Sequence, residues 1–579
     1  MKGYSFLKCI LPALLAVYVL YMNAAGTEKI RIMTYNIPYG NINSATNTWE
    51  QRAIHLAEYV NRISPDIMGW QEPVRNELID LLHRMHGYAI VGHGRDNTAE
   101  KGEYTPIIYK TERFFVETSG NYWLTDTPEK VSRVEGAGHN RIATWAVLVD
   151  KQTGARFLYT NTHLSYENEN VKEAQIKYMK PHMLELNEKY YGAGFTPQTF
   201  PHLLTGDMNM KRTEETNYNY IRHYKLVLND MRFKCRTYNN LCGGSDDRCI
   251  DYIYATSKVS CTTFEWGNSY TDDGYRMSDH HPVWADLYWP LSNEDNARAF
   301  IMEAYSLLDS LYTYTEGRIN LASSRFLSCD GALSSCPVTN VVDNKTSTYY
   351  QTLDNMPPNQ PHFIQVELNR ELLSCRFQYS PRYDSAEGLQ DRMQDLMVTA
   401  SEDGINWDYI TGFTNFGGDS LKAYTSGNIF LRKPNYKFLR FSVMRTPGYT
   451  LRNGAPQFSC SEFRLFQNIP AKESLRYVSE ISAAAGLLEE LIDEVRENIT
   501  ARNITKAKLT SLQDAIQALR VARDAYLTTC IKPASSFSFT PAHSMKIYSL
   551  DGLERKKRQE GLNIVSDTAG KFHKVYVKP

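Results

Sequence analysis

The sequence predicts a multidomain protein: a mixed α/β sandwich over residues 28–290, then an all-β sandwich at 319–468 with flanking helices. Two observations carry this prediction. The first part alternates β-rich runs with stretches of helical periodicity, and the second turns β-rich and aromatic after a helical stretch that follows Pro290. At 579 residues the chain is also too long for one hydrophobic core, so about two to four domains are expected.

Strand and helix candidates alternate within residues 28–290. Strands are expected at 30–34, 67–70, 107–109, 144–150, 157–162, 202–205, 250–254 and 283–288. Apolar residues at helical spacing predict helices at 48–63, 77–85 and 173–189. Such a mixture is typical of sheets that helices cover on their outer faces.

Polar residues interrupt the ends of several of these predicted strands. In the stretch LLTGDMN at 203–209, Gly206 lets the backbone turn, and Asp207 and Asn209 follow the strand. Similar interruptions occur elsewhere, at Asn36, Glu72, His163, Asp251, Asp279 and His280. Because rigid scaffolds present reactive groups on the loops at strand ends, these residues are candidates for one site.

The order of these motifs resembles the endonuclease/exonuclease/phosphatase superfamily, which has the deoxyribonuclease I-like fold. The resemblance is carried by TYNI, WQE, GEYTPIIY, RIATWAVL, NTHL, GDMN, IDYIY and SDHHPVWAD and covers nearly all of residues 28–290. It implies a four-layered α/β sandwich, in which two β-sheets pack together with helices outside. It also implies phosphodiester hydrolysis with Mg²⁺, or alternatively Mn²⁺.

The residue types suit this chemistry. Glu72 is a hard oxygen ligand for Mg²⁺, and Asn36 and Asp279 would complete the metal shell directly or through water. Asp207 would be the general base that deprotonates the attacking water. Asn209 would hydrogen-bond the phosphate or help to hold the nucleophile.

The two motif histidines have assigned partners. His280 would donate to a phosphate oxygen or the leaving group, with Asp251 fixing its tautomer. His163 matches a family histidine, and Glu103 is its candidate carboxylate partner. Tyr109 and Arg141 are further candidates for phosphate contact.

The second β-rich part resembles the coagulation factor 5/8 type C, or discoidin, domain, a jelly-roll sandwich. The resemblance rests on LASSRFLS, NVVDNKTSTYYQT, HFIQVEL, LMVTASEDGINWDYI, KFLRFSV and CSEFRLF. It implies binding of carbohydrate or lipid head groups by loops at one end, and in some members a structural Ca²⁺. Tyr349, Tyr350 and Tyr383 are candidate loop aromatics, and a sandwich that only spaces the enzyme is the alternative.

The two ends of the chain carry targeting signals. Lys2 and Lys8, an apolar stretch at 10–21 and small residues at 24–26 predict a signal peptide at 1–26 and therefore export; a retained membrane anchor is the alternative. No later run is apolar enough to span a bilayer. The tail at 535–579 resembles C-terminal sorting signals of type IX secretion, whereas its RKKR run at 555–558 is alternatively a nucleic-acid or membrane patch.

Helices and cysteines complete the organisation. A helix is expected at 293–312 within a linker at 291–318, and a helical hairpin at 470–530, as a spacer or docking element. A Cys329–Cys336 disulfide is proposed, since exported proteins keep disulfides. The cysteines between 235 and 261 could instead bind zinc.

The favoured function is an exported, metal-dependent phosphoester hydrolase that acts on a phosphodiester and is held on glycan or lipid surfaces by the discoidin-like domain. A secreted nuclease and a sphingomyelin or phospholipid phosphodiesterase are both open as substrate classes. The formal net charge of −1 gives no overall basic footprint for nucleic acid. A non-catalytic surface adhesin is the alternative from another class.

Overall fold

The computed structural model describes most of the chain in two compact units, residues 1–302 with 315–469 and residues 303–314 with 470–579. The described residues are 29–40, 48–85, 87–96, 101–235, 249–272, 274–321, 327–352, 362–383, 392–393, 395–405, 407–413, 423–445, 458–530 and the short strands of the tail. The predicted signal peptide, Cys242 and residues 556–558 of the basic run lie outside them. None of the helices within the described ranges combines the length and the apolar character that crossing a bilayer requires.

Two six-stranded sheets form the first sandwich. Sheet 1 has the order β11-β12-β1-β2-β4-β3, with strands β1 (Ile30–Asn36), β2 (Ile67–Gln71), β3 (Tyr88–Val91), β4 (Ile107–Lys110), β11 (Ser260–Trp266) and β12 (Val283–Tyr288). Sheet 2 has the order β5-β6-β7-β8-β10-β9, with β5 (Phe114–Trp123), β6 (Ile142–Asp150), β7 (Arg156–His163), β8 (His202–Asp207), β9 (Asn229–Asp230) and β10 (Asp251–Ala255).

The layers follow from where the apolar side chains lie. One buried cluster joins the inner faces of the two sheets, for example Ile32 and Ile67 with Leu148 and Phe157. The outer face of sheet 1 packs on α1 (Trp49–Ile63) and α2 (Arg75–Arg84), and that of sheet 2 packs on α3 (Glu169–Tyr191) and α4 (Glu215–His223). The short α5 (Met231–Lys234) follows β9. The predicted four-layered α/β sandwich is therefore confirmed.

Each predicted strand and helix of this domain is present within a few residues of its expected bounds. Strands β3, β5, β9 and β11 and helices α4 and α5 were not predicted. Strand β5, FFVETSGNYW, mixes buried and half-buried positions without strict alternation. Its sequence therefore lacks the period-two pattern by which a strand is recognised.

The second sandwich is all-β, as predicted. One sheet has the order β13-β24-β17-β20, with β21 on β17, and the other β14-β16-β22-β18-β19. The strands are β13 (Tyr314–Arg318), β14 (Leu327–Cys329), β15 (Tyr350–Gln351), β16 (Phe363–Glu367), β17 (Ser374–Ser380), β18 (Asp395–Ser401), β19 (Asp408–Phe413), β20 (Tyr424–Thr425), β21 (Ile429–Phe430), β22 (Phe438–Arg445), β23 (Ser459–Cys460) and β24 (Glu462–Pro470). Val366, Phe377, Val398 and Phe441 belong to the buried cluster of this sandwich.

The two sandwiches touch through an aromatic pair. Phe115 of β5 stacks on Tyr409 of β19, with ring centroids 4.1 Å apart and planes 2° from parallel. The ammonium group of Lys151 lies 5.4 Å from the centroid of the same Tyr409 ring. These contacts join the first and second sandwiches within one unit.

Helices and a small sheet make up the rest of the chain. Helix α6 (Asn293–Asp309) follows the first sandwich, and α7 (Ser479–Ala501) and α8 (Lys506–Cys530) form the predicted hairpin. The tail forms β25 (Lys546–Tyr548), β26 (Glu554–Arg555), β27 (Gly561–Ser566) and β28 (Phe572–Val577), in the order β26-β25-β27-β28. The β character of the tail is therefore confirmed.

Two predictions in the second sandwich are wrong. Cys329 and Cys336 are both free thiols rather than a disulfide, because Cys329 sits in β14 paired with β16, while Cys336 lies in the turn after it. Tyr350 is fully buried in β15, so it cannot be a loop aromatic that meets a ligand. Tyr383 is 45% exposed and remains a candidate.

The zinc alternative has no support among the described residues. Groups of three or more side chains able to hold a metal occur there without any cysteine. Cys249 is disulfide-bonded, and Cys261 is buried with its thiol donating to the carbonyl of Thr263.

A buried amide bonds the two sheets together. Nδ2 of Asn161 in β7 donates to the carbonyls of Trp70 (2.7 Å) and Pro106 (2.9 Å) beside sheet 1. Its Oδ1 accepts from Gln71 Nε2 (2.8 Å) and Thr205 Oγ1 (3.0 Å). The amide is therefore fully hydrogen-bonded inside an otherwise apolar core.

Gly69 makes room for this bond network. A Cβ at Gly69 would lie 2.5 Å from Asn161 Oδ1 and 2.2 Å from Thr205 Oγ1. Since both neighbours are fixed by hydrogen bonds, only glycine fits here.

We expect Asn161→Leu to lower the free energy of unfolding by about 3 kcal/mol, because it leaves several buried polar groups without a partner. Urea unfolding followed by circular dichroism measures this. Asn61→Leu, on the exposed face of α1, is the matched control and should change stability little. Equal stability of the two variants would contradict the role given to Asn161.

Candidate active site

Strand register brings the candidate residues to one edge of the sandwich. β1 and β2 run parallel, with Asn36 opposite Gln71, so Glu72 follows at the same edge. In sheet 2, β7 and β8 are parallel with His163 opposite Asp207. β10 is antiparallel to β8, so its first residue, Asp251, also lies opposite Asp207.

Asn36 connects the carboxylates of the two sheets. It is fully buried, and its Nδ2 donates to Glu72 Oε1 (2.9 Å) and to Asp207 Oδ2 (3.0 Å). Its Oδ1 is buried without a hydrogen-bond partner among the described residues. The amide thus holds Glu72 and Asp207 together and leaves one oxygen acceptor unused.

The backbone is strained beside these side chains. Glu72 has φ 73° and Asn209 has φ 45°, values that side-chain-bearing residues seldom adopt. Gly206 has φ 155°, and a Cβ there would lie 2.1 Å from the Thr162 carbonyl. Strain of this kind is concentrated at functional sites, where the surrounding structure enforces it.

His163 contacts the β8 loop. Its Nε2 lies 3.0 Å from Asn209 Nδ2 and 3.5 Å from Asp207 Oδ2. The amide of Asn209 also donates from its backbone to Asp207 Oδ1 (2.7 Å). Burial, with the nearby Arg141 and Arg95, holds the pKa of His163 well below its usual value, so the ring is neutral at pH 7.

His280 and Asp251 form a close pair. His280 Nδ1 lies 2.8 Å from Asp251 Oδ2, and Nε2 lies 3.7 Å from Asp207 Oδ2. Burial lowers the pKa of His280, but the hydrogen-bonded charge of Asp251 outweighs it and raises that pKa to about 10. Burial and then the negative charge of Asp251 raise the pKa of Asp207 to about 7.

Glu103 is not the partner of His163, contrary to the prediction. Its carboxylate receives two hydrogen bonds from Arg95, at 2.5 Å from Nη1 and 2.8 Å from Nη2. Arg141 Nη1 lies 4.0 Å from the same group. The sequence could not show this pairing, because Arg95 becomes a neighbour only in the folded chain.

Tyr109, predicted to contact phosphate, lies in the core instead. It is 2% exposed and belongs to the apolar cluster between the two sheets. Asp279 is exposed and is absent from the groups of metal-binding geometry found among the described residues. His281 instead contacts Ser269 and the Trp266 ring.

Arg95 is the site residue that the sequence analysis missed. It is 6% exposed, and Arg141 is 4% exposed. No sequence signal identified it, because one arginine in a loop does not reveal a buried partner.

The chain resembles known proteins in both parts. The model of the F5/8 type C domain matches residues 322–453, which confirms the discoidin resemblance. No curated protein matches the chain.

Several solved structures are similar to this chain. An endonuclease/exonuclease/phosphatase family protein from Bacteroides thetaiotaomicron is 28% identical, with a TM-score of 0.41, covering 46% of this chain and 98% of that chain. One from Bacteroides vulgatus is 27% identical, with a TM-score of 0.40, covering 45% and 100%. A mannosyl-6-phosphatase from Bacteroides thetaiotaomicron is 28% identical, with a TM-score of 0.39, covering 45% and 99%.

The donor set fits a hard divalent cation. Ligand atoms of Glu72, His163 and Asp207 lie within 4.8 Å of one another. The unpartnered Oδ1 of Asn36 adds a buried oxygen beside two carboxylates. Carboxylate and amide oxygens are the ligands that Mg²⁺ prefers.

We expect Asp251→Asn to lower the pKa of His280 from about 10, because the carboxylate that contributes most against the effect of burial becomes a neutral amide. Proton NMR of the metal-free protein measures the titration, and His280→Gln assigns the resonance.

The Asp251–His280 pair also makes the stability of the wild-type protein depend on pH. Because folding raises this pKa, the wild-type pair stabilises the fold fully below about pH 6.5. That stabilisation is lost as the pH rises through about 10. An unchanged His280 titration in the variant would contradict the pairing.

Proposed function

We propose that the chain is an exported, metal-dependent hydrolase of phosphoesters. The observation that carries the proposal is the meeting, at one sandwich edge, of Asn36, Glu72, His163, Asp207 and the Asp251–His280 pair. Neither sheet alone supplies this set. Hydrolysis of a phosphoester needs a base for water, a proton for the leaving group and neutralisation of phosphate charge, and the set offers all three.

Asp207 is the base in this mechanism. Its two oxygens are oriented by Asn209 N and Asn36 Nδ2. A pKa raised to about 7 suits proton transfer near neutral pH. Asp207 takes a proton from the attacking water as the new oxygen–phosphorus bond forms.

His280 donates a proton to the leaving group. With Asp251 on Nδ1, the imidazolium carries its second proton on Nε2. That proton passes to the leaving oxygen as its bond to phosphorus breaks. Neutral His163 and the amide of Asn209 orient a phosphate oxygen or the nucleophile.

Glu72 and Asn36 would hold the metal, through the Glu72 carboxylate and Oδ1 of Asn36. When bound, Mg²⁺ or Mn²⁺ would stabilise the negative charge that develops on the phosphate oxygens.

Export rests on the charged and apolar pattern of residues 1–26. The discoidin-like domain would hold the enzyme on a glycan or lipid surface, with a structural Ca²⁺ as a further proposal. Tyr383, exposed in that sandwich, is a candidate for this contact.

The general test of the proposal is a turnover assay on residues 28–579 with Mg²⁺ and with chelator. The substrates are plasmid DNA, RNA, sphingomyelin vesicles, an aryl phosphodiester and an aryl phosphomonoester. Metal-dependent release of product from any of them supports a hydrolase. A folded protein that is inactive on all of them would favour the adhesin.

Asp207→Asn should lower kcat by about 10²–10⁴-fold, as expected for removal of a general base. The fold should persist, because the amide is isosteric and removes the repulsion from Asp251. Phosphate release and urea unfolding measure the two effects. A folded variant with wild-type turnover would exclude Asp207 as the base.

Glu72→Gln should raise the Mg²⁺ concentration that gives half-maximal activity by about tenfold or more, because a charged oxygen ligand becomes neutral. Activity against Mg²⁺ concentration measures the shift. Glu135→Gln, on an exposed loop, is the matched control. If both variants keep the wild-type metal dependence, Glu72 is not a ligand.

A further inference from the structure

We propose that Arg95 and Arg141 form a pocket for the terminal phosphate of a phosphomonoester, which makes monoesters the substrate class. This inference rests on the proposed function and narrows it. The sequence favoured a phosphodiester as the substrate, whereas the two buried arginines favour a phosphomonoester.

Arg141 is a buried cation with unused donors. It lies just before β6 and is 4% exposed. Nε and Nη1 are buried without a hydrogen-bond partner among the described residues. The 4.0 Å between Nη1 and Glu103 is too long for a hydrogen bond. A buried guanidinium in this state is costly unless an anion binds it.

Arg95 stands beside it and is oriented by Glu103. Both terminal nitrogens of Arg95 bond this carboxylate, which fixes the plane of the guanidinium. Within the part of the chain that the structure describes, its Nε is buried without a hydrogen-bond partner, and it lies 4.0 Å from Asp96. Two arginines thus share one close carboxylate, and the trio carries a net positive charge when Glu103 is ionised.

The pair adjoins the catalytic centre. β6 is antiparallel to β7 with Ala143 opposite Thr162, so Arg141, two residues before Ala143, lies at the sheet edge where β7 ends in His163. Arg95 is held at the same edge, because its carbonyl accepts from Trp123 Nε1 (2.8 Å) and Trp123 lies opposite Ile142. The arginines therefore lie on the His163 side of the site, whereas His280 and Asp251 approach Asp207 through His280 Nε2. A phosphate bound between the two arginines and His280 would contact the arginines on one side.

Charge and shape both favour a monoester. A monoester has three terminal oxygens and, with a second pKa of about 6, carries close to two negative charges at pH 7. A diester has two terminal oxygens, one charge and a second organic group. Because Arg95 and Arg141 are 6% and 4% exposed, little of either side chain is open to a second organic group.

The test compares two substrates with one leaving group, p-nitrophenyl phosphate and methyl p-nitrophenyl phosphate, on the full chain with Mg²⁺. The wild type should prefer the monoester in kcat/KM. Arg141→Gln should lower kcat/KM for the monoester by about 10–100-fold, the loss expected for one or more charged hydrogen bonds. The loss for the diester should be smaller, so that the preference collapses.

Further variants separate the effects of side-chain charge, donor geometry and folding on the monoester activity. Arg141→Lys should restore only part of the monoester activity, because lysine keeps the charge but lacks the planar set of donors. Arg95→Gln should act in the same direction as Arg141→Gln. Arg62→Gln, at the exposed end of α1, is the control and should retain wild-type kinetics. Urea unfolding establishes that each variant is folded.

Binding of inorganic phosphate, measured by calorimetry, makes the pocket testable without turnover. The wild type should bind phosphate, and Arg141→Gln should weaken binding by about 10–100-fold. Hydrolysis with a diester preference, or an equal loss on both substrates, would overturn the pocket and leave the hydrolase standing. Phosphate binding that depends on Arg141 without any hydrolysis would support the pocket and overturn the proposed function, and absence of phosphate binding would overturn the pocket.

Discussion

The site depends on the amide of Asn161 in the core between the sheets. Its four hydrogen bonds reach both sheets, at Trp70, Gln71, Pro106 and Thr205. Gln71 directly precedes Glu72, Asn161 lies two residues before His163, and Thr205 lies two residues before Asp207. A slip of one sheet over the other would leave buried polar groups without partners, which costs far more than sliding apolar surfaces. The hydrogen bonds of Asn161 in the core therefore set the spacing between Glu72 and Asp207 in the site.

At the active-site edge, next to the Asn161 hydrogen bonds, several charged side chains lie close together. Glu72, Asp207 and Asp251 converge, and burial together with mutual repulsion raises the pKa of Asp207. His280 is held as a cation by Asp251, while His163 is kept neutral beside two arginines. His280 is therefore protonated at pH 7 and can donate a proton. His163 is neutral at this pH and does not donate as a cation. The difference arises from the charged residues around each ring: carboxylates surround the half-buried His280, whereas arginines lie near the buried His163.

Much of the fold and part of the site could be predicted, for identifiable reasons. The strand ends at Asn36, Glu72, His163 and Asp207 were predictable because each interrupts an apolar run with a polar group. Tyr109 was misassigned because neighbouring residues of a strand point to opposite faces: Ile108 faces the helices, whereas Tyr109 faces the other sheet. The Glu103–Arg95 pair was not predictable, because neither spacing nor composition states which side chains meet across a loop.

Two buried side chains with unpaired polar atoms of opposite character connect catalysis with recognition. Among the described residues, Asn36 Oδ1 is an acceptor without a donor, and Arg141 Nε and Nη1 are donors without an acceptor. A buried polar atom without a partner costs free energy. A cation would satisfy the first, and a phosphate would satisfy the second. A metal ion and a phosphoester that bind together would relieve both deficits and add their mutual attraction. The site is therefore complementary to a metal–phosphate pair more than to either component alone.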